Sequence, residues 1–428
     1  MRFSLRPIWS TLRARHNLRR HVWQSLANYI QSGGALFLGL ILARLLTPDE
    51  FGRFAYVSAV VTAFMLPFTI TFTPLLITNS GRDPGLLAKV LAVTCVVACL
   101  KVGVLLLYIV FSLWHNDRES AGLAFWIGTP FALSGFIDAF RADSEGKGFF
   151  RPNVMAQLLS LTTVIVISLG LVLAGWGVYG LAIAGFASYW PQLIAYIYTA
   201  TPRLRGLSLT FFGLSSLWKS GFAFWASQLT TNVMARIDKI ALGYFAGNVE
   251  LGYYNRAFNY APFSILLFSA FITSSSVFAM RNQCSMRNRL LVAFKTSVIL
   301  LLAALLNFVG LQWFADPVVP FLFGAQWTSA IPAFQAFSWF GLACVLQFVP
   351  TNFLLACEAN GLVAYGKLVA LLSLVCGLAI LSHLQAFTAV HVALVFTAST
   401  ALSGIVLMYF AVMLVCKRRR FTGSVSYP

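Results

Sequence analysis

Apolar segments long enough to cross a lipid bilayer recur along almost the whole of this 428-residue chain. Hydrophobic residues make up 59% of the sequence and charged residues only 10%, whereas about a quarter of the residues in an ordinary soluble domain are charged. Long continuous runs indicate spanning helices and not the alternating strands of an outer-membrane barrel. The sequence therefore excludes a soluble globular protein and predicts an all-α polytopic membrane protein.

We predict about 12 transmembrane helices, separated by turns rich in Gly, Pro and Asn. Six prolines fall inside these spans or near their ends, where a proline can kink the helix. They are Pro67, Pro74, Pro130, Pro191, Pro262 and Pro350. The approximate bounds are 22–46, 53–78, 86–114, 121–141, 153–175, 178–200, 215–245, 252–280, 290–314, 328–356, 361–382 and 387–416.

The 30 Lys and Arg residues are distributed unequally between the two sides of these spans. With both termini on one side, 23 of them lie on that side and three on the other, which predicts cytoplasmic termini. Residues 1–21 read as a cytoplasmic basic interfacial segment without a cleaved signal peptide, and residues 417–428 as a cytoplasmic basic tail. The net charge of +18 is thus explained by membrane orientation, and no nucleic-acid partner is expected.

An internal repeat groups the spans into two halves. A gapless shift by 200 residues places Gly52 on Gly252, and a shift by 213 places Glu145 on Glu358. Both shifts move each span to the span six positions later, so we expect parallel repeats. The predicted parts are an N-lobe at 22–200 with spans one to six, a cytoplasmic linker at 201–214 and a C-lobe at 215–416 with spans seven to twelve.

The seventh predicted span carries charges where a membrane helix usually has none. Gln228, Asn232, Arg236 and Lys239 fall on one face of this helix, and Asp238 lies on a neighbouring strip. A charge at the centre of a spanning helix costs roughly 2.5 to 3.5 kcal/mol, so this face is expected to line a polar cavity. The alternative is a packing salt bridge between Asp238 and a cation of another helix.

Three short motifs resemble those of a known transporter family. The first is an Asp, Asp238, followed by Leu242-Gly243 and then by the pattern Leu-Gly-x-Tyr-x-x-Ala, which runs from Leu251 to Ala257 with its tyrosine at Tyr254. The others are Leu42-Ala43-Arg44 followed by Thr47-Pro48, Glu50 and Gly52, and Phe323-Gly324 followed by Trp327 and Pro332. Over nearly the whole chain, the sequence is similar to the polysaccharide transporters of the multidrug/oligosaccharidyl-lipid/polysaccharide (MOP) exporter superfamily, which flip O-antigen and exopolysaccharide repeat units. The resemblance implies a MATE-like fold of two six-helix lobes. It also implies that undecaprenyl diphosphate-linked oligosaccharide moves, by alternating access, from the inner to the outer leaflet of the bacterial inner membrane.

Such a cargo carries a diphosphate, so cationic and amide side chains are expected along its path. For the amides the alternative role is helix packing, and for the cations near span ends it is contact with lipid headgroups. The candidate substrate-binding residues are Arg236, Lys239, Asn232, Gln228, Asn28, Gln31, Arg53, Arg256, Lys101 and Arg44.

Acidic residues in or beside the spans are candidates for coupling transport to a H⁺ or Na⁺ gradient. They are Asp238, Asp138 and Glu358. Asp138 has an alternative role as the ion-pair partner of Arg141, three residues later, and Glu358 has one as an acidic residue at a helix start.

The sequence shows no catalytic or metal-binding constellation, so we expect a non-enzyme without cofactor or metal. Competing functions are a multidrug exporter or another lipid-linked-substrate exporter of the same superfamily, and a membrane glycosyltransferase or polymerase. The expected partners are lipid-linked oligosaccharide and membrane lipids. At the basic termini, a polysaccharide polymerase and other synthesis proteins are further candidates.

Overall fold

The computed structural model describes residues 30–69, 72–79, 85–147, 150–204, 214–262, 280 and 286–423, and its elements there are all helical. Two short 3-10 turns, at Leu66–Phe68 and Ala325–Ala330, interrupt the α-helices. The α-helices are α1 (Ile30–Leu45), α2 (Pro48–Met65), α3 (Thr73–Asn79), α4 (Leu86–Trp114), α5 (Arg118–Gly146), α6 (Phe150–Leu173), α7 (Val178–Leu204), α8 (Leu214–Ala246), α9 (Asn248–Tyr260), α10 (Met286–Phe323), α11 (Ile331–Ala356), α12 (Asn360–His383) and α13 (Ala389–Gly423).

The helices have the length and surface of a multi-pass membrane protein. Within the described ranges, eight helical segments are long and apolar enough to cross a bilayer. Each predicted span overlaps a described helix, and span two overlaps both α2 and α3. Span one is described only from residue 30, and span eight only up to residue 262 and at residue 280. Large apolar side chains such as Leu107 (72% exposed) and Leu306 (76% exposed) face outward, as expected for contact with lipid. The all-α polytopic prediction is confirmed.

Local sequence explains where α2 begins and where the second span breaks. The backbone N–H and hydroxyl of Thr47 donate to the Glu50 carboxylate (2.8 and 2.9 Å), and the Glu50 N–H donates to the Thr47 hydroxyl (3.3 Å). This reciprocal pair is a capping box, and Pro48 at the first helical position needs no hydrogen bond for its nitrogen. At the other end, Pro67 lies in the 3-10 turn that separates α2 from α3.

The chain divides into two compact units. Unit 1 comprises Met1–Leu46 and Phe64–Ala226, and unit 2 comprises Thr47–Ala63 and Ser227–Pro428. The first part of α2 therefore groups with the later helices. The lobe and linker bounds given above remain predictions.

Unit 1 has its buried core among α3, α4, α5 and α7. Leu76, Leu87, Phe140 and Tyr196 belong to this core. The Tyr189 hydroxyl donates to a main-chain carbonyl of α5, at Leu133 (2.7 Å). Since apolar surface gains little from leaving lipid, such close packing and interhelical hydrogen bonds hold the helices together.

Unit 2 is held by a similar mixture of aromatic packing and hydrogen bonds. Phe258 of α9 packs edge-on against Phe337 and Phe396, with ring centroids 5.6 and 5.4 Å away. The Ser403 hydroxyl of α13 accepts from Gln347 Nε2 (3.1 Å) and donates to a carbonyl of α12 (2.8 Å). These contacts join α9, α11, α12 and α13.

Candidate functional site

Arg236 of α8 is held by neutral partners. Its Nε donates to the Thr62 hydroxyl of α2 (2.7 Å), and its Nη1 donates to the main-chain and side-chain oxygens of Asn232 (3.1 and 3.3 Å). Thr62 in turn donates to the carbonyl of Ser58 (2.6 Å). No carboxylate within the described part of the chain lies within 4 Å of this guanidinium. Its position is therefore fixed while its positive charge stays uncompensated at close range.

The amides of the same strip lie one and two turns before Arg236. Asn232 is half-buried and its Nδ2 donates to the carbonyl of Gln228 (2.9 Å), whose own side chain is exposed. Gln228, Asn232 and Arg236 thus form a continuous polar strip along α8, as the helical spacing predicts.

Asp238 lies on a different side of α8 and is fully buried, with 0% of its surface exposed. Its Oδ1 accepts from the backbone N–H of Lys239 (2.8 Å), and its Oδ2 accepts from the hydroxyl of Tyr254 in α9. No side-chain nitrogen of an Arg or Lys among the described residues lies within 4 Å of the carboxylate. The interhelical salt bridge considered from the sequence is replaced by a tyrosine hydrogen bond.

Lys239 extends toward α9 and contacts an aromatic ring. Its Nζ lies 4.8 Å from the ring centroid of Phe258, a cation–π distance. The Phe258 ring stacks on that of Tyr254 with centroids 6.0 Å apart. Lys239 and Asp238 therefore contact neighbouring aromatic residues of the same helix.

Arg256 of α9 is buried in an aromatic setting, with 6% of its surface exposed. Its guanidinium carbon lies 3.4 Å from the ring centroid of Phe51 and 5.6 Å from that of Trp327. Nη1 approaches the Tyr260 hydroxyl (3.5 Å), but Nε and Nη2 are buried and have no hydrogen-bond partner among the described residues. The stack compensates part of the cost of burying this cation.

Unit 1 contains a second group of candidates, Lys101 and Asp138, at one cavity between α4 and α5. Lys101 is buried, and its Nζ lies 5.0 Å from the ring centroid of Phe131. Asp138 pairs with Arg141 (3.5 Å), whose Nε lies 3.9 Å from Glu145. The structure thus places at one cavity two residues for which different roles were predicted, Lys101 in substrate binding and Asp138 in ion coupling.

The remaining candidates are dispersed. Gln31 is half-buried and Arg44 exposed on α1, and Arg53 is half-buried on α2. Glu358 is exposed in the turn between α11 and α12, with φ 62°. Asn28 lies outside the described residues.

Sequence reasoning missed the partners that fix these charges. Thr62, Tyr254, Phe51 and Trp327 are ordinary residue types in a membrane helix or turn, and no spacing rule assigns them to a distant Arg or Asp. Tyr254 is the tyrosine of the Leu-Gly-x-Tyr-x-x-Ala motif that begins at Leu251, and this membership was the one available signal.

Comparison with protein families matches residues 41–332 to the family described as Polysaccharide biosynthesis protein. Comparison with curated protein sequences finds no match.

Solved structures of MOP transporters superpose on this fold. For the lipid II flippase MurJ in an inward closed conformation, the TM-score is 0.71 at 13% identity, over 91% of this chain and 87% of that chain. An inward-facing MATE family transporter gives 0.70 at 17% identity, over 95% and 100%. A MOP transporter from Pyrococcus furiosus, whose reverse pocket polarity suggests a different function, gives 0.56 at 16%, over 95% and 93%. The predicted MATE-like fold is confirmed.

Proposed function

The chain belongs to the polysaccharide biosynthesis protein family, and from this premise we propose that it is a flippase for lipid-linked oligosaccharides. The proposed cargo is an undecaprenyl diphosphate-linked repeat unit of O-antigen or exopolysaccharide. The protein would carry it from the inner to the outer leaflet of the bacterial inner membrane by alternating access, with both termini in the cytoplasm.

The observation that carries this proposal is the uncompensated cation at Arg236. Thr62 and Asn232 orient the guanidinium without neutralising it. A guanidinium presents paired N–H donors that match phosphate oxygens, and a diphosphate would supply the missing negative charge. Gln228 and Asn232 on the same strip offer amide groups to sugar hydroxyls. The polyprenyl chain would stay in lipid, where it needs no polar site.

The other candidate substrate-binding residues differ in their contacts, and we therefore propose different roles for them. Lys239 is the second proposed cation, because its Nζ contacts the ring of Phe258 and lies within 4 Å of no carboxylate among the described residues. Arg256 would have to leave its aromatic stack to reach a phosphate. Arg44, Arg53, Gln31 and Asn28 remain proposed contacts along the path.

The main competing function is a multidrug exporter, favoured by the fold shared with a MATE transporter. Cationic drugs require an acidic binding surface. The polar strip of α8 instead carries Arg236 and two amides, while the nearby Asp238 is buried and bonded to Tyr254. Charge complementarity therefore favours an anionic cargo. A membrane glycosyltransferase or polymerase is the weaker alternative, because family and fold neighbours are transport proteins.

The experiment that tests the proposal is deletion of the gene in its host, followed by complementation. The readouts are surface polysaccharide and the leaflet in which lipid diphosphate-linked oligosaccharide accumulates. The test variant is Arg236→Ala/Lys239→Ala. The matched control is Arg287→Ala/Lys295→Ala, which removes one Arg and one Lys from exposed positions of α10.

We expect the deletion to abolish surface glycan and to accumulate cargo on the inner leaflet. The control should restore export, and the test variant should not, at equal membrane abundance. Unchanged surface glycan in the deletion strain, together with altered sensitivity to cationic drugs, would overturn the proposal in favour of the multidrug exporter.

A further inference from the structure

Unit 1 contains a small polar cavity that the proposed cargo site does not use. Its volume of about 20 Å³ is enough for about one water molecule. Lys101, Asp138 and hydroxyl-bearing side chains line it, the latter being Thr69, Thr73, Thr94 and Ser134. The cavity is bounded by Thr69 and the start of α3 on one side, and by α4 and α5 on the others. All of its lining residues belong to unit 1.

Lys101 is the unusual member of this cavity. Only 1% of its surface is exposed, and its ammonium group has no hydrogen-bond acceptor among the described residues. Its contact with the Phe131 ring, 5.0 Å from Nζ to centroid, satisfies none of the three N–H donors in the ordinary way. A buried ammonium at a water-sized polar cavity therefore requires a polar occupant.

Among the described residues that line the cavity, Asp138 is the only one with a carboxylate. It lies more than 4 Å from the Lys101 ammonium, so the two charges are neighbours without forming a direct ion pair. The Asp138 side chain is 38% exposed, whereas Lys101 is sealed inside. An occupant of the cavity can therefore link a buried cation to a carboxylate that is accessible from outside the unit.

The hydroxyl groups of the cavity are suited to bind water. The Thr69, Thr94 and Ser134 hydroxyls each donate to a carbonyl of their own helix or turn, at 3.1, 2.8 and 2.9 Å. Their donors are used, and their oxygens remain able to accept. An ammonium donor and acceptor hydroxyls around one water-sized space are the polar partners that a bound water requires.

We propose that Lys101 and Asp138 form an internal proton-binding site in unit 1, linked by water in this cavity, and that it couples the transport function proposed above to a proton gradient. On uptake, the Asp138 carboxylate gains one proton and becomes a carboxylic acid, while Lys101 stays an ammonium. The net charge of the pair rises from zero to plus one, and release of the proton reverses it. Lys101 thereby belongs to coupling and not to the cargo site.

A proton fits this site better than a metal cation does. The cavity holds about one water, and the Lys101 ammonium would repel Na⁺ at close range. A proton adds no volume and is delivered through the water itself. Arg141 already pairs with Asp138, so a bound metal ion would place another positive charge beside a guanidinium that is always charged.

Several charged or titratable groups face Asp138 and set its environment. On its own helix, Arg141 pairs with it and connects to Glu145, which accepts from Asn153 of α6 (3.3 Å). Among the described residues the set is Lys101 from α4, Arg141 and Glu145 from α5, and Tyr189 and Tyr196 from α7.

The test is a pH titration of the purified full-length protein in lipid nanodiscs, followed by infrared difference spectroscopy. The readout is the carbonyl band of a protonated carboxylic acid. We expect a band that is present in the wild type and lost in Asp138→Asn. The matched control is Asp117→Asn, the same change at the exposed start of α5, where an Asn still accepts from the N–H of Ser120.

A second variant keeps the test decisive if Asp138→Asn fails to fold. In Lys101→Met the carboxyl band should remain, but its pH midpoint should move by about one pH unit, because a neighbouring cation no longer stabilises the carboxylate. A midpoint identical to that of the wild type would overturn the proposal, as would an unchanged band in folded Asp138→Asn. Loss of the wild-type band on adding Na⁺ at constant pH would overturn it in favour of a metal-ion site.

The titration needs no cargo, so it is independent of the glycan-export experiment. If the titration shows no carbonyl band that depends on Asp138, the proton site is overturned and the flippase proposal remains intact. Unchanged surface glycan in the deletion strain overturns the flippase proposal and leaves the titration result unaffected.

Discussion

Gly52 and Gly252 make reciprocal contacts in unit 2. A Cβ on Gly52 would collide with the main-chain carbonyl of Asn248, and a Cβ on Gly252 would collide with that of Pro48. A shift of 200 residues superposes both members of this contact, Pro48 on Asn248 and Gly52 on Gly252. The starts of α2 and α9 thus cross as two equivalent elements, in the pattern expected of parallel repeats.

Substitution of either glycine by alanine is therefore expected to destabilise the protein. The obstacle is backbone and cannot rotate away, so we expect a loss of about 1–3 kcal/mol or more for Gly52→Ala and for Gly252→Ala. The measurement is thermal unfolding in detergent. The control is Gly310→Ala in α10, where a Cβ meets nothing within 4 Å and the change should be neutral or slightly stabilising. Equal melting temperatures for all three variants would contradict the contact.

The stacked guanidinium of Arg256 gives a second prediction. Arg256→Lys should lower stability by about 1–2 kcal/mol, because a buried ammonium keeps the charge but loses the planar contact with Phe51. Arg256→Met should cost less, since an apolar chain leaves no buried nitrogen without a partner.

The comparison uses unfolding temperatures of the two variants and of Arg44→Lys, which changes an exposed arginine and should stay within about 0.5 kcal/mol of the wild type. Greater stability of Arg256→Lys than of Arg256→Met would show that the charge and not the stack holds this position.

Most of the fold could be predicted from the sequence, because span length and apolarity act locally. The bounds of α4 were predicted to the residue, at 86–114, and the Pro67 break was also expected. The grouping of residues 47–63 with unit 2 was not predicted, since it depends on the close glycine contacts between α2 and α9. Helical periodicity does not reveal such long-range contacts.

The candidate site was predicted less completely than the fold. Helical spacing correctly put Gln228, Asn232 and Arg236 on one strip, because side chains four residues apart share a helix face. It could not show that Thr62 holds Arg236 or that Lys101 and Asp138 share a cavity. Those relationships depend on how separate helices pack, and one sequence without an alignment carries no direct signal of it.

The predicted orientation can be measured with reporter fusions. Alkaline phosphatase fused after Asn116, in the turn between α4 and α5, should be exported and active. The same reporter fused after Glu358, in the turn between α11 and α12, should be inactive. The physical reason is the excess of Lys and Arg on the side that holds the termini. The reverse pattern would place both termini outside the cytoplasm.

The hydrogen bond from Tyr254 to Asp238 predicts a measurable coupling energy. Tyr254→Phe should cost about 1–3 kcal/mol, because it removes a donor from a fully buried carboxylate. In the Asp238→Asn background the same change should cost less, since a neutral amide needs the donor less. Thermal unfolding of both singles and the double mutant gives the coupling, with Tyr365→Phe, at an exposed tyrosine, as control. Equal costs in both backgrounds would show that the bond contributes nothing specific.

The Thr62 hydroxyl offers the sharpest test of how Arg236 is presented. Thr62→Val keeps the shape of the side chain but removes the acceptor for Nε (2.7 Å), whereas Thr62→Ser keeps it. If Arg236 acts only in packing, Thr62→Val lowers stability alone. If it binds an anionic cargo, a misplaced guanidinium also slows export, roughly tenfold for each 1.4 kcal/mol of lost binding in the transition state.

We therefore expect Thr62→Val, but not Thr62→Ser, to reduce surface glycan at equal membrane abundance. The matched control is Thr351→Val in α11, because the Thr351 hydroxyl also donates to a carbonyl of its own helix (2.6 Å) but contacts no arginine. Normal export in Thr62→Val, combined with a lowered unfolding temperature, would restrict Thr62 to a structural role. Export that fails equally in Thr62→Val and Thr351→Val would mean that loss of any such hydroxyl is harmful, and that the guanidinium position is not what the cargo requires.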